Sequence, residues 1–319
     1  MSDETTDAPA GTSLGSTWPD VDVVMPIRNE AAHLADAVAA VRGQDYPGRV
    51  RTFLAIGPSD DGTEQVAASL AATGDDLVVV ANPSGLTPSG LNAAIRAGSA
   101  PIVVRVDGHS ELSNGYIRRA VETMERTAAT NVGGLQVPIA TTPFERAVAA
   151  ATTSWLGTGG ASYRIGGAEG PVDTVYLGVF DRAAIEAVGL FDERLIRNQD
   201  YELNIRLRAS GGTVWFDPRL SVGYRPRGSW PALARQYFEY GRWKAVVMRL
   251  HPGSARARQL APPLAVCAAA LATVLGLRWR RLMAVPRVAI GVVAAESIWS
   301  GRRNHARPVP VGVVLTTVP

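Results

Sequence analysis

The sequence predicts an α/β protein in which a mostly parallel β-sheet carries helices on both faces. Two observations lead to this prediction. Short β-branched segments alternate with segments whose apolar residues recur at helical spacing, a pattern typical of βαβ units. Polar clusters follow directly after several of the short segments, and ligands of parallel sheets bind at such strand ends.

The N-terminal half carries the clearest alternation. In the first predicted helix, Leu34, Val38 and Val41 stand at the spacing of one helix face. Since each strand is followed by a helix, consecutive strands are expected to run parallel. The predicted strands are Val21–Met25, Thr52–Ile56, Leu77–Val80 and Ile102–Val106, and the predicted helices are Ala31–Val41, Thr63–Ala72, Pro88–Ala97 and Asn114–Thr127.

The second half is less regular. Gly157–Gly170 contains six glycines and is predicted to be a loop. Thr174–Phe180 and Thr213–Phe216 are predicted strands, and Asp200–Ser210 is a predicted helix. Pro231–Leu250 is predicted to be a long amphipathic helix, because its apolar and aromatic residues alternate with polar ones at helical spacing.

Composition divides the chain into three predicted parts. Residues 1–19 lack apolar character and any signal-peptide pattern, and we expect a disordered leader there. Residues 20–250 are expected to form the α/β domain. Residues 251–319 are expected to form a helical, membrane-associated tail, since the apolar run Leu260–Leu277 has about the minimum length of a membrane span.

The charge of the chain is strongly polarised. The net charge is +3, yet the segment from Arg225 to Pro319 holds 15 basic and 2 acidic residues. Such a segment is expected to bind a polyanion, and the apolar runs among its arginines favour an anionic membrane over nucleic acid. We expect attachment at the cytoplasmic surface rather than a spanning hairpin, because translocating Arg278, Arg280 and Arg281 would be unfavourable.

Several classes of site are excluded by residue counts. The single cysteine, Cys267, cannot form a disulfide framework or a multi-cysteine zinc site. The single lysine, Lys244, does not stand in a phosphate-binding loop, and the first strand is not followed by a Gly-rich dinucleotide fingerprint.

Polar clusters follow the first two strands. The first is Pro26-Ile27-Arg28-Asn29-Glu30, and the second is Ser59-Asp60-Asp61-Gly62-Thr63. Either can hydrogen-bond a base or a ribose. Each also has a purely structural interpretation, in which Asn29 caps the next helix or the second cluster is an ordinary helix-entry turn.

Acidic residues mark two further positions. Asp107-Gly108-His109 follows a buried strand and suits a divalent cation, with His109 favouring Mn²⁺ or another transition ion. The alternative is a turn with a free surface histidine. Asp200 stands at a predicted helix start, where it could act as a base or only cap the helix. Glu202, two residues later, does not share its helix face.

Taken together, these clusters resemble glycosyltransferase family 2, the inverting, nucleotide-sugar-dependent enzymes of the GT-A fold. The order and spacing match over about residues 21–250. The segments Phe191–Asp200 and Gln236–Trp243 resemble the succinoglycan-biosynthesis branch, whose members extend lipid-linked sugars at the inner face of the bacterial membrane.

The resemblance implies a role for each matching residue. Asp107 and His109 stand where the family has its diphosphate–metal motif, and Asp200 stands at the catalytic base. The implied nucleotide-sugar-binding residues are Pro26, Arg28, Asn29, Glu30, Asp61 and Asp107. The implied acceptor-side residues are Glu202, Arg242 and Trp243.

The function implied is that of an inverting, metal-dependent hexosyltransferase. Its expected donor is a nucleotide-diphosphate sugar, with a UDP-sugar favoured, and its expected acceptor is a lipid-linked saccharide. The expected cofactor is Mn²⁺ or Mg²⁺. Three positions depart from the family pattern: His109 replaces the second motif Asp, Gln199 replaces a Glu, and Gly57 stands where many members carry an Asp that reads uracil.

Two other functions remain open from the sequence. A non-catalytic nucleotide-sugar-binding membrane protein on the same scaffold is compatible with the changes at His109 and Gln199. A nucleotidyltransferase is less compatible, because those enzymes commonly place a Gly-rich loop and a catalytic Lys after the first strand.

Overall fold

The computed structural model describes residues 18–154, 158 and 160–254, together with residues 264, 267, 268, 270–272, 274 and 275. Residues 1–17 of the predicted leader lie outside the described residues. The predicted tail, with its apolar runs, lies outside them beyond residue 254 except at the positions just given.

The strands begin and end close to the predicted positions in the N-terminal half and depart from them later. They are β1 (Val21–Ile27), β2 (Val50–Ile56), β3 (Leu77–Ala81), β4 (Ile102–Arg105), β5 (Glu111–Leu112), β6 (Asn131–Pro138), β7 (Gly170–Pro171), β8 (Tyr176–Asp181) and β9 (Val214–Tyr224).

The helices lie between these strands in the chain, except for the last one, which follows β9. They are α1 (Leu34–Arg42), α2 (Thr63–Ala71), α3 (Thr87–Ala97), α4 (Tyr116–Thr127), α5 (Pro143–Thr152), α6 (Ser162–Ile165), α7 (Arg182–Ala187), α8 (Gln199–Ala209) and α9 (Trp230–Leu250). The predicted loop at Gly157–Gly170 therefore includes the short helix α6.

Within the described residues, nine strands form one sheet in the order β3-β2-β1-β4-β8-β6-β9-β5, with β7 paired to β9. The neighbours among β1 to β4 pair in parallel, as the alternation predicts. Beyond β4 the sheet is mixed: β8 runs antiparallel to both β4 and β6, and β5 and β7 run antiparallel to β9. Strands β6 and β9 pair in parallel. The prediction of a mostly parallel sheet is thus right for β1 to β4 and for this pair, and wrong for the pairings of β8, β5 and β7.

Helices cover both faces of the sheet, as predicted. Val23 and Met25 of β1 belong to a core cluster that includes residues of α1, α2 and α4, whereas Val24 between them belongs to a cluster that includes residues of α3, α7 and α8. Successive side chains of a strand point to opposite faces. The apolar residues of β1 therefore serve two cores at once, which is why all of its residues except the half-buried Pro26 are buried.

Strand β6 was not predicted from the sequence. Its two glycines explain both why the strand was not recognised and how it packs against its neighbours. Gly133 and Gly134 weaken any strand signal in the sequence. A Cβ added at Gly133 would lie 2.6 Å from Cβ of Val175, and one at Gly134 would clash with the backbone of Leu220. The register between β6 and β9 shifts at these glycines. Gly134 permits the close approach of β9, and Gly133 that of the chain entering β8.

Among the described residues, the structure contains no helix with both the length and the apolar composition required to cross a bilayer.

Candidate active site

The predicted polar clusters meet at one edge of the sheet. Strands β2, β1 and β4 are parallel neighbours, so their carboxyl ends open on the same side. The chain leaves β1 through Asn29, whose φ of 54° lies in the left-handed region that asparagine tolerates better than most residues. This turn directs the loop after β1 toward the loop after β2.

Asn29 and Glu30 make three of the hydrogen bonds that join these two loops. The Asn29 backbone N–H donates to Oγ of Ser59 (3.1 Å), and the Asp60 N–H donates to Oδ1 of Asn29 (3.1 Å). The Glu30 N–H donates to Oγ1 of Thr63 (2.9 Å). Helix α1 begins after His33 without a side-chain cap. The interpretation of Asn29 as a helix cap is therefore wrong.

Asp61 strengthens this link between the loops. Its Oδ2 accepts from the Ala31 N–H at 3.0 Å, and its Oδ1 accepts from the N–H and the hydroxyl of Thr63. The hydrogen bond from the Thr63 hydroxyl is the main reason that the pKa of Asp61 is lowered. Both carboxylate oxygens are engaged, so Asp61 shapes the predicted nucleotide pocket from its rim.

The loop after β3 closes the same region. The side chain of Arg28 lies against Gly85, where an added Cβ would be 3.4 Å from Cδ of Arg28. A Cβ added at Gly57 would lie 2.8 Å from Cα of Gly85. This close approach explains physically why Gly57 carries no side chain. Pro26 is half-buried at the end of β1, and Arg28 is exposed.

His109 in the third loop points toward the first. Its Nδ1 lies 2.7 Å from Oε1 of Glu30, and this hydrogen bond raises the pKa of His109 against the opposing effect of burial. A Cβ on Gly108 would lie 2.8 Å from Cδ1 of Ile27, so the glycine lets the loop pack on β1. Since Nδ1 faces Glu30, Nε2 is the ring nitrogen left for a ligand.

A buried arginine connects Asp107 to Asp200. Arg105, the last residue of β4, is 4% exposed. Its Nε and Nη2 donate to Oδ1 of Asp107 at 3.1 and 3.0 Å, and its Nη1 donates to Oδ1 of Asp200. Burial lowers the pKa of the guanidinium, but the two carboxylates outweigh burial and raise it. One cation thus holds two residues that are 93 positions apart in the chain.

Asp200 lies in the first turn of α8, after the N-terminal residue Asn198, and no side chain caps that helix. Its carboxylate bonds to Arg105 instead, so the interpretation of Asp200 as a helix cap is wrong. Burial raises the pKa of Asp200, Arg105 lowers it, and Asp107 raises it further, with a net increase. A carboxylate with a raised pKa has the properties of a candidate general base.

Glu202 lies on a different side of α8. It is 2% exposed and bonds to Arg206 at 2.6 and 2.8 Å and to Nε2 of His251 at 2.8 Å. It borders a cavity of about 550 Å³ whose lining includes Arg96, Arg206 and His251 but neither Asp107 nor Asp200. The prediction that Glu202 and Asp200 occupy separate faces agrees with these contacts. The contacts of Glu202 with Arg206 and His251 do not place it beside Asp200, so they give no support to its predicted acceptor role.

Arg242 and Trp243 lie on α9, which packs beside the start of α8. The side-chain amide of Asn198 donates to the Tyr240 carbonyl at 3.1 Å. The Trp243 indole N–H donates to Glu239 at 3.1 Å, and the Arg242 guanidinium stacks over the Trp243 ring at 5.7 Å. Through Asn198, these residues are anchored next to the first turn of α8, which carries Asp200.

Arg105 is the site residue that the sequence interpretation missed. The signal was present, because a charged residue stood inside the predicted buried strand Ile102–Val106. A buried charge requires a partner. The partner Asp200 could not be identified without the fold that brings β4 next to α8.

The donor set fits a divalent cation held jointly with a substrate. The described residues contain no cluster of three or more His, Cys, Asp or Glu side chains that could hold a metal alone. Mg²⁺ is commonly bound by one or two carboxylates together with substrate phosphates. Oδ2 of Asp107, which Arg105 does not use, matches that mode, and Nε2 of His109 adds a nitrogen donor of the kind that transition ions accept.

Comparison with known families agrees with this geometry. The family model described as glycosyl transferase family 2 matches residues 22–189, which include the first three polar loops and β4. The chain belongs to glycosyltransferase family 2. The nucleotide pocket of this family 2 domain is therefore expected where the loops after β1, β2 and β4 meet, and Asp200 lies just beyond the matched segment.

Individual relatives refine the placement within the family. The chain is 32% identical over 297 residues to the succinoglycan biosynthesis protein ExoA of Rhizobium meliloti, covering 90% of this chain and 88% of that protein. It is 23% identical to a dolichyl N-acetyl-α-D-glucosaminyl phosphate 3-β-D-2,3-diacetamido-2,3-dideoxy-β-D-glucuronosyltransferase of Methanococcus voltae, covering 72% and 74% of the two chains. The family 2 domain thus falls in the ExoA-like branch.

A solved structure shows the same fold. The mannosyltransferase PcManGT of Pyrobaculum calidifontis, in complex with GDP-Man and Mn²⁺, aligns with a TM-score of 0.59 and 19% identity, covering 92% of this chain and 91% of that one. At this identity the likeness concerns the fold alone, and the fold is GT-A-like.

Proposed function

We propose that this family 2 enzyme is an inverting hexosyltransferase that moves a sugar from a nucleotide-diphosphate sugar to a lipid-linked saccharide. The observation that carries the proposal is the pairing of Asp107 and Asp200 on Arg105. It holds a carboxylate suited to a donor-bound cation beside one suited to accept a proton, as a single-displacement transfer requires.

The donor side is formed by the linked loops after β1, β2 and β4. Pro26, Arg28 and Asn29 border this region, Asp61 holds its rim, and Glu30 orients His109. Exposed Arg28 can pair with a phosphate oxygen, since arginine suits such groups. A UDP-sugar remains the favoured donor, and the fold neighbour bound to GDP-Man makes GDP-sugars the first competitors to test.

Asp107 and His109 would hold Mn²⁺ or Mg²⁺ together with the donor diphosphate. When bound, such an ion neutralises the negative charge that grows on the leaving group. The chain's own contribution is to keep Oδ2 of Asp107 and Nε2 of His109 available. Arg105 and Glu30 achieve this by holding the opposite atoms, Oδ1 and Nδ1.

Asp200 acts as the general base in this proposal. Its second carboxylate oxygen accepts the proton of the acceptor hydroxyl. At the same time the hydroxyl oxygen attacks the anomeric carbon, the bond from that carbon to the diphosphate breaks, and the nucleoside diphosphate leaves. One in-line displacement inverts the anomeric centre, so an α-linked donor gives a β-linked product. General-base catalysis typically contributes about 10²–10⁴ in rate.

The acceptor is proposed to approach along α9, beside Arg242 and Trp243. The relatives are named for succinoglycan biosynthesis and for transfer to a dolichyl phosphate sugar, which supports a lipid-linked saccharide as the acceptor class. An acceptor of this kind would place the enzyme at the cytoplasmic face of the membrane.

One exposed face of α9 supports membrane attachment. Trp230 and Phe238 are each 71% exposed, and Tyr237 is 48% exposed. Beside them run Arg235, Arg242 and Arg249, spaced by seven residues and thus aligned along one flank. We call this face, residues 230, 235, 237, 238, 242 and 249, the α9 stripe. Aromatic and basic side chains together suit an anionic bilayer surface.

Washing of membranes tests the attachment. We expect high salt or alkaline carbonate to release the full-length protein from membranes, because screening or stripping removes a surface-bound protein. Retention through both washes, lost only on truncation before Leu260, would show that the tail spans the bilayer instead.

A thermal-shift screen tests the donor. Ligands that bind only the folded state raise its stability by mass action, so UDP- and GDP-sugars are compared with Mg²⁺, with Mn²⁺ and with a chelator. We expect one donor class to shift the melting temperature only when a cation is present. Absence of any shift across both nucleotide classes would contradict the proposal.

A non-catalytic nucleotide-sugar-binding protein is the second candidate, favoured by the departures at His109 and Gln199. Donor hydrolysis separates the two functions. A catalyst releases nucleoside diphosphate from the donor that gives the thermal shift, and a binding protein gives the shift without release.

A further inference from the structure

The Arg105 guanidinium occupies a position that neither the family motifs nor the proposed roles of Asp107 and Asp200 account for. It is a charged side chain at the end of β4, which is otherwise apolar, and its side chain is 5% exposed. Its partners are the predicted metal ligand and the predicted base. Each carboxylate gives Arg105 one oxygen, Oδ1, and keeps the other.

We infer that Arg105 is a positioning residue for sugar transfer, which aims Oδ2 of Asp200 at the acceptor hydroxyl and Oδ2 of Asp107 at the donor side. This inference rests on the proposed function. The guanidinium is planar and its donors lie in a fixed fork, so two carboxylates bound to one guanidinium are fixed relative to each other. The side chains of Asp107 and Asp200 are 20% and 28% exposed, so both remain accessible to ligands.

Electrostatics gives Arg105 a second effect on the same pair. Two carboxylates held close together repel each other. The guanidinium of Arg105, which contacts Oδ1 of both aspartates, offsets this repulsion and keeps the pair together before any donor arrives. Removing it should disturb the relative placement of the two carboxylates, and the effect should therefore fall on turnover more than on donor affinity.

Lysine cannot reproduce this arrangement. Its ammonium is a single point charge on a flexible stem, so it restores the charge but not the fixed geometry between the two carboxylates. Arg105→Lys therefore separates the two contributions, and Arg105→Gln removes both.

The chain offers a matched control elsewhere in the sheet. Arg219 binds the fully buried carboxylate of Asp217 through Nε and Nη2 at 3.0 and 2.8 Å. Its guanidinium also contacts Thr123 and Glu169, away from the Asp107 loop. Arg219→Gln thus removes an arginine from a buried aspartate without touching the proposed site.

The experiment compares Arg105→Gln, Arg105→Lys and Arg219→Gln with the wild-type chain. The probe is the nucleotide sugar with the largest thermal shift among UDP-glucose, UDP-N-acetylglucosamine and GDP-mannose, with Mn²⁺. Melting temperature, donor affinity by calorimetry, and kcat and KM for nucleoside diphosphate release are measured. We expect Arg105→Gln to lower kcat by about 10²-fold with donor affinity within about threefold, Arg105→Lys to recover about tenfold, and Arg219→Gln to keep wild-type kcat.

The outcomes are distinguishable. A folded Arg105→Gln variant with near wild-type kcat overturns the inference, as does an equal loss of kcat in Arg219→Gln. If Arg105→Gln does not fold, wild-type kcat in Arg105→Lys overturns it, and a tenfold or larger loss at unchanged melting temperature supports it. Failure of the wild-type chain to release nucleoside diphosphate contradicts the proposed function instead.

Discussion

At the scale of single residues, Asp200 is the most direct test of the proposed chemistry. Asp200→Asn keeps the size of the side chain and can still bond to Arg105, but it removes the basicity. We expect kcat to fall by about 10²–10⁴ with donor affinity little changed, measured by steady-state kinetics and calorimetry. Asp217→Asn, at a buried aspartate outside the site, serves as control. Near wild-type turnover of Asp200→Asn would contradict a base at this position.

The pH dependence of the reaction follows from the raised pKa of Asp200. A base must be ionised to work, so activity is expected to be low when Asp200 is protonated and to rise as pH climbs through its pKa. Because burial and Asp107 raise that pKa above the ordinary value of about 4, the acid limb of kcat/KM should lie above pH 4. A limb at or below pH 4 would indicate that another group limits the rate.

The metal prediction concerns Asp107 and His109. Asp107→Ala is expected to abolish metal-dependent donor binding, because it removes the carboxylate ligand. His109→Asp is expected to keep activity and to shift preference from Mn²⁺ toward Mg²⁺, since it replaces nitrogen with a hard oxygen ligand. Calorimetry of donor binding with each cation measures both effects. Wild-type activity undiminished by strong chelators would contradict a metal role altogether.

At the scale of elements, the α9 stripe is expected to contact anionic lipid. Basic side chains near such a surface contribute about 1 kcal/mol each, so Arg235→Gln with Arg249→Gln should weaken binding to phosphatidylglycerol vesicles by about 30-fold at low salt. Co-sedimentation of the full-length chain measures this. The paired control is Arg118→Gln with Arg119→Gln on α4. Equal losses of vesicle affinity in the two double variants would indicate that binding depends on the net charge of the protein and not on the α9 stripe.

The elements also show which parts of the fold local sequence could predict. The limits of α2 and α3 agree with the prediction to within one residue, because apolar periodicity and the flanking turn residues are local signals. Strands β5 and β7 are two residues long, and β6 contains two glycines. Their conformation depends on pairing with β8 and β9, which a local pattern does not encode.

At the scale of the whole molecule, one buried ion pair joins distant parts of the chain. Asp22 of β1 is fully buried and accepts from Nη2 of Arg182 at 2.8 Å and from the Ala100 N–H at 2.7 Å. Arg182 also donates to the Ile95 carbonyl at 2.8 Å. This network ties β1 to α3, to the start of β4 and to α7, on which the order of the sheet depends.

Breaking that pair is expected to destabilise the protein strongly. Asp22→Ala leaves the buried Arg182 guanidinium with only the half-exposed Glu186 as a partner carboxylate, and losing the buried partner costs about 3–5 kcal/mol. The free energy of unfolding from urea titration measures the loss. Asp76→Ala is the control, because its pair with Arg42 is 40% and 31% exposed, and such pairs contribute about 0–1 kcal/mol. Similar losses in both variants would contradict a special role for the buried pair.

The sequence by itself determined the fold class, the parallel order of the first strands and the identity of the polar loops, because each depends on residues close together in the chain. Only the tertiary structure decided that Arg105 joins Asp107 to Asp200, that Asp61 holds two loops, and that Glu202 faces away from both. Those facts depend on contacts between residues that the order of the β-sheet brings together. No local sequence pattern predicts that β8 runs antiparallel between β4 and β6.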